Sequence, residues 1–380
     1  MGIIAGRRKH LMKNVNGCRL LSAFLLAAVT VSGCSTLMAA GATKKASDTA
    51  PSITEDIVIS ETTAATTEET AKEPEPLTFN THVYSCFLDA CYSDDYRESF
   101  FNLCDALQKG EDTFKCTNED IYKFCLDPVT LNQLYPVGCM QIMEKAPDGE
   151  PSFENGTGHI YYTNSKEDFL EKQAQFQTSI MAILDAYITS DMTDFEKCLS
   201  LYEYMVCTYE YDYDDELDRS ELGSGCATLK YRKGVCGDFS ALYSYLLLQS
   251  GVDAIAVSNW GETDETGYHA WTFVEVDGKG YHIDPTWGLK ADKSVETFTL
   301  DFFMMTDEDR AEWGYPPELL DIYLLPTFYA KDCKEYDFTA NDRSYRLPDG
   351  SQCCGYDTDR NIIFYYDYSY NYDKHTFQYE

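Results

Sequence analysis

Three side chains in this sequence could together attack an amide: Cys236, His269 and Asp284. A cysteine attacks as the thiolate, and ionisation is favoured at a helix N-terminus and beside an imidazolium. Cys236 lies in Gly234-Val235-Cys236-Gly237-Asp238. After it Phe239, Leu242, Tyr243, Leu246 and Leu247 recur at helical spacing, and Gly251 is a natural stop. The spacing predicts a helix from Cys236 to about Gln249, with unpaired N–H groups and the positive end of its dipole at the sulfur. Gly234 and Gly237 remove bulk on either side and leave room for a substrate backbone. Asp238 works the other way, because an anion near the sulfur opposes its ionisation. The imidazole must therefore supply part of the activation.

The other two residues need a sheet to bring them to the sulfur. Asp253–Trp260 reads as a strand, 261–267 as a turn, and His269–Val276 as a second strand. Asp277-Gly278 is a hairpin signal, and a third strand, Gly280–Asp284, stops before Pro285. Strands joined by such short turns are antiparallel. Asp284 shares a face with His282, two residues away, and can be a cross-strand neighbour of His269. Pro285 biases Asp284 toward extended backbone. On the residues alone, His269 and His282 both stand as the base. Cys236's own N–H is a candidate oxyanion donor. Upstream, Ser165 with Asp168 opens a helix running to about Ile188, and Thr193 with Glu196 opens another.

These runs carry a family likeness. Gly234-Val235-Cys236-Gly237-Asp238-Phe239-Ser240-Ala241-Leu242, then His269-Ala270-Trp271, then Tyr281-His282-Ile283-Asp284-Pro285-Thr286-Trp287 resemble the three motifs of the transglutaminase-like superfamily. The stretch from Thr193 to Asp212 resembles that family's entry helix, and the likeness covers about 165–305. It implies a papain-like α+β fold, a helix carrying the cysteine packed on an antiparallel sheet. It implies Cys236 as nucleophile, His269 as general base and acid, and Asp284 as the orienting carboxylate. The base precedes Ala-Trp in the family, which makes His282 structural. Gly237, Trp271 and Trp287 are candidates for the substrate cleft. The superfamily holds amide cross-linkers, peptidases, peptide N-glycanases and members without catalysis. Two functions follow: a cysteine peptidase or amidase working through a thioester, favoured over a transglutaminase, or an inactive binding or scaffold module at the cell surface. Its partner is a protein or peptide substrate, such as a cell-wall or surface polypeptide. No motif calls for a cofactor or a metal. The acidic run 209–218 lacks the glycine and terminal glutamate of a calcium loop and reads as surface loop.

The N-terminus indicates where this chemistry would take place. Arg7, Arg8, Lys9, Lys13 and Arg19 flank a short apolar run, Leu20–Val31. Val31-Ser32-Gly33-Cys34 after it resembles the lipobox of bacterial lipoproteins, so lipid on Cys34 would hold the chain on the outer face of a bacterial membrane. The expected organisation is a signal over 1–33, a flexible tether over 34–78 and a cysteine-rich, mostly helical extension over 79–160. The transglutaminase-like domain follows over 161–318, and a tyrosine-rich β appendage over 319–380. A net charge of −34 repels phosphate backbones and argues against nucleic acid as a partner. Among the 15 cysteines, Cys86, Cys91, Cys104, Cys116, Cys125 and Cys139 cluster after the tether, where an oxidising compartment would permit disulfides.

Overall fold

The computed structural model describes residues 77–380 apart from 215, 221–222, 262–266, 323–336 and 368–372. The signal, Cys34 and nearly all of the tether lie outside the described residues.

The front of the chain forms α1 (Cys86–Asp89), α2 (Asp94–Lys109), β1 (Thr113–Lys115), α3 (Glu119–Leu126) and α4 (Pro128–Leu134). Asn118 and Asp127 cap α3 and α4 through their side-chain oxygens. The polar stretch 149–158 contains β2 (Phe153–Glu154) and the start of β3 (Thr157–His159), which pair with β1 in the order β1-β3-β2. Asn155 and Gly156 sit at φ 50° and 81°, the left-handed pair that closes a two-residue hairpin.

Two long helices follow. Ser165 accepts from Asp168 N at 3.1 Å and starts α5 (Lys166–Tyr187). Thr193 and Glu196 exchange bonds as a capping box at the start of α6 (Asp194–Thr208). Then β4 (Glu210–Tyr211), α7 (Gly223–Tyr231) and β5 (Lys233–Gly234) lead into α8 (Cys236–Gln249), with β4 and β5 paired in parallel. The acidic run beyond β4 is not uniformly surface. Asp212 is buried, accepts from Glu216 N at 3.1 Å and Leu217 N at 2.9 Å, and meets Lys233 at 3.0 Å. Its carboxylate closes the loop from inside, while Tyr213 stays exposed.

β6 (Ala254–Trp260), β7 (Tyr268–Val276) and β8 (Lys279–Ile283) form the expected antiparallel meander, and α8 lies on β6 and β7. After it come α9 (Pro285–Gly288), β9 (Phe298–Thr299), α10 (Asp307–Glu312) and β10 (Asp321–Ile322). The C-terminal stretch supplies β11 (Ser351–Asp357), β12 (Ile362–Asp367) and β13 (Asp373–Gln378). β10 joins the central sheet beside β6, and β9 joins the C-terminal sheet beside β11. β9 and β10, consecutive in sequence, therefore belong to different sheets. One hydrophobic core runs from Val83 to Tyr379.

The pattern of α8 predicts one apolar stripe, yet the helix is buried nearly all round, Ser240 and Ser244 included. It is enclosed by the sheet on one side and by α4, α6 and α7 on others. Its serines are accommodated by hydrogen bonds: Ser244 Oγ pairs with Thr272 Oγ1 at 3.1 Å, and Ser240 Oγ donates to Gly237 O at 3.1 Å.

Candidate active site

Cys236 is the first residue of α8 and is partly exposed, with Val235 in extended conformation before it. The open end of the helix thus stands at the sulfur. Asp238 does not confront the thiol as its sequence position suggests. Its Oδ2 accepts from Val235 N at 2.9 Å and from Arg219 Nη2 and Nε at 2.7 and 3.1 Å. The carboxylate turns back to the helix start and is neutralised by a guanidinium. Gly234 serves packing rather than substrate entry, because a Cβ there would stand 2.7 Å from Thr228 Oγ1 and 3.0 Å from Asp238 Cβ. Gly237 is buried in the first turn of α8.

The sheet brings His269 and Asp284 to one another. The β7–β8 register pairs Thr272 with Ile283, so its continuation sets Asp284 opposite Trp271 and diagonal to His269. His269 Nε2 lies 2.7 Å from Asp284 Oδ2. Both residues are buried. Burial pulls the imidazole pKa down, but the Asp284 charge, its hydrogen bond and the Cys236 contact more than reverse this and raise it to about 9. For Asp284 burial pushes upward, and His269, Arg310 and the Trp287 N–H outweigh it, holding the carboxyl below its usual range. With Nε2 committed to Asp284, Nδ1 is left for the hydrogen bond with the Cys236 side chain. Asp284 also caps α9, accepting from Trp287 N at 3.2 Å through Oδ1.

The second histidine has a different place. His282 Nδ1 accepts from Trp271 Nε1 at 3.0 Å, which puts the ring proton on Nε2, and Nε2 lies 2.9 Å from Asp307 Oδ1. Both nitrogens are occupied, and burial pulls its pKa down. Trp271 is 1% exposed, so it packs inside rather than walling a cleft. Trp287 is half-buried and stacks on His269, ring centres 4.7 Å apart and planes 9° from parallel.

One member of the cluster escapes the sequence motifs. Arg310, on α10, is 1% exposed, and its Nη1 donates to Asp284 Oδ2 at 3.0 Å. Its guanidinium carbon stands 3.8 Å from the Trp271 ring centre and 4.7 Å from that of Trp287. Among the described residues no three His, Cys, Asp or Glu side chains converge to hold a metal ion. None of the described helices is long and apolar enough to cross a membrane. Cys34 lies outside them.

Comparison with known proteins gives this arrangement a context. Residues 182–285 match the family model of the transglutaminase-like superfamily. Over 153 residues the chain is 26% identical to the UPF0252 protein PH1321 of Pyrococcus horikoshii, covering 36% of this chain and 44% of that one. Among solved structures, a TGase aligns at 21% identity and a TM-score of 0.27, over 34% of this chain and 35% of its own. A candidate cysteine protease from Cytophaga hutchinsonii aligns at 17% identity and a TM-score of 0.25, over 30% and 38%. The chain spans less than half the length of each of these proteins.

Proposed function

We propose, from the premise that residues 182–285 are a domain of the transglutaminase-like superfamily, that this chain is a cysteine amidase or peptidase of the bacterial cell surface. The observation that carries the reading is the His269 Nε2 to Asp284 Oδ2 contact of 2.7 Å, formed beside a cysteine at the first position of a buried helix. A histidine held by a carboxylate on one nitrogen offers the other to a thiol, which is the arrangement nucleophilic catalysis needs.

In the proposed reaction the thiol proton resides on His269 and the Cys236 sulfur attacks an amide carbonyl. The developing oxyanion faces the N–H groups at the start of α8, where the helix dipole favours negative charge. His269 gives its proton to the leaving amine, the C–N bond breaks and a thioester remains on Cys236. His269 then takes a proton from water as water attacks the thioester. The acid is released, and the proton returns to the sulfur. Water is the acceptor in this reading. A lysine amine in its place would give cross-linking. Attachment through lipid on Cys34 would put the site among cell-wall or surface polypeptides.

The test compares the full chain with Cys236→Ala on a peptide library containing a free amine, read by mass spectrometry. New termini or deamidation made only by the wild type support hydrolysis. Amine incorporation would move the reading to a transglutaminase. Identical products from both proteins, or no products, would sink it in favour of a binding module.

A further inference from the structure

We propose that Arg310 is a positioning residue that holds the Asp284 carboxylate for His269 and keeps it ionised when His269 gives its proton away. The inference rests on the cysteine–histidine–aspartate reading above.

The geometry begins with sharing. Asp284 Oδ2 accepts from His269 Nε2 at 2.7 Å and from Arg310 Nη1 at 3.0 Å. Asp284 and Arg310 are each buried, at 0% and 1% exposure. A buried carboxylate needs a counter-charge. While His269 is an imidazolium it supplies one. Once the imidazole is neutral, after the proton reaches the leaving amine, the carboxylate would have nothing to balance it but Arg310. With Arg310 present, Cys⁻/His⁺/Asp⁻/Arg⁺ and its proton-transferred form, with neutral Cys and His, are both neutral overall. Burial then biases little between them.

The arginine is placed for this role by its own element. Thr306 and Asp309 cap α10 reciprocally, with Thr306 N to Asp309 Oδ2 at 2.8 Å and Asp309 N to Thr306 Oγ1 at 3.2 Å. Asp309 also meets Arg346 Nε at 3.1 Å, and Asp307 faces His282. Asp307 and Asp309 are thus engaged away from the guanidinium, and Glu308, on the same helix, meets Arg343 at 3.6 Å. The guanidinium lies over Trp271 at 3.8 Å, with the Tyr315 ring centre 5.2 Å away, so the aromatic walls fix its plane. Its Nε and Nη2 make no hydrogen bond among the described residues. A planar fork stacked this way points one edge at one oxygen.

The consequence is a limit on how tightly His269 holds its proton. A cation sharing the same carboxylate oxygen weakens the hold of Asp284 on the imidazolium, and repels it directly. The other titratable groups facing this cluster are Cys236 on α8, Tyr202 on α6, and Tyr315 after α10, with His282, Asp307 and Asp309 behind Arg310. Arg310 is the permanent cation hydrogen-bonded to Asp284, beside the titrating His269.

The experiment is an imidazole NMR titration of the full chain labelled at its 6 histidines, with the His269 signal assigned by its loss in His269→Gln. In Arg310→Met the His269 midpoint should rise by about one pH unit or more. Arg310→Lys, which keeps the charge, should stay near the wild type. If Arg310→Met does not fold, Arg310→Gln retains a donor toward Asp284 without the charge and carries the same expected rise. A His269 midpoint that is unchanged or lower in the folded neutral variant would overturn the proposal. This signal reports a proton on His269 whether or not the protein turns over substrate. A rise with no turnover would therefore keep the role of Arg310 and remove the enzyme reading.

Discussion

Asp284→Asn removes one negative charge and almost no volume. The Asp284 charge opposes burial at His269 and is central to raising the imidazole from 6.5 to about 9. Without it burial and the unneutralised Arg310 remain, opposed by the Cys236 contact alone, so His269 falls back toward its ordinary 6.5. That is a loss of about 2 pKa units, or about 3 kcal/mol of differential interaction. Geometry adds to the effect. Oδ2 accepts from two donors and Oδ1 from a third, Trp287 N. An amide has one oxygen and one NH2, so either orientation sets a donor against a donor. The assay is the rate of iodoacetamide attack on Cys236, located by peptide mapping, from about pH 5 to about pH 9. Mapping matters because hydrogen bonding from Cys125 lowers the Cys116 thiol to about 7, a second candidate for reaction at low pH. The wild type should alkylate readily at pH 6, and Asp284→Asn should be about thirtyfold slower or more there, approaching the wild type only near pH 9. Equal rates across the range in a folded variant would show that the Asp284 charge does not act on Cys236 through His269. The variant should also melt lower, because Arg310 is left buried without its partner, a cost of about 3–5 kcal/mol.

Three further outcomes follow from the same contacts. His282→Gln removes the acceptor for the buried Trp271 N–H, so denaturant unfolding should show a loss of about 1–3 kcal/mol while the Cys236 alkylation profile keeps its wild-type shape. Gly234→Ala puts a methyl 2.7 Å from Thr228 Oγ1 and against Asp238, and chemical denaturation should show about 1–3 kcal/mol lost as Asp238 is pushed from Val235 N and Arg219. The His269–Asp284 pair should contribute about 3 kcal/mol that is fully present below pH 6.5 and lost as pH rises through about 9, since the folded histidine pKa is the raised one. Melting of the wild type against His269→Gln should show that gap narrowing over this interval.

What could be read from the sequence was local. Ser165, Thr193 and Glu196 announce their helices because a cap is a contact between residues three apart. The strands around Asp277-Gly278 are legible for the same reason. The Asn155-Gly156 hairpin has a local turn signal too, but the polar run around it resembles a loop and hides the two short strands. Arg310 had no such signal. It lies in an acidic stretch that reads as a solvated helix. Its place comes from tertiary structure: the bridge between His282 and Met305 folds the chain back so that α10 meets the end of β8. Asp238 shows the same limit. Its distance in sequence from Cys236 suggested repulsion, and the direction of its carboxylate depends on Arg219, 19 residues earlier.

In the proposed reaction Cys236 becomes acylated with help from His269. The most direct measurement is intact mass and peptide mapping after brief exposure of the full chain to a peptide p-nitrophenyl ester at pH 7. One acyl group should form, on Cys236, and form roughly a hundredfold more slowly in His269→Gln. Acyl groups on other residues, or equal labelling of Cys236 in the variant, would contradict it.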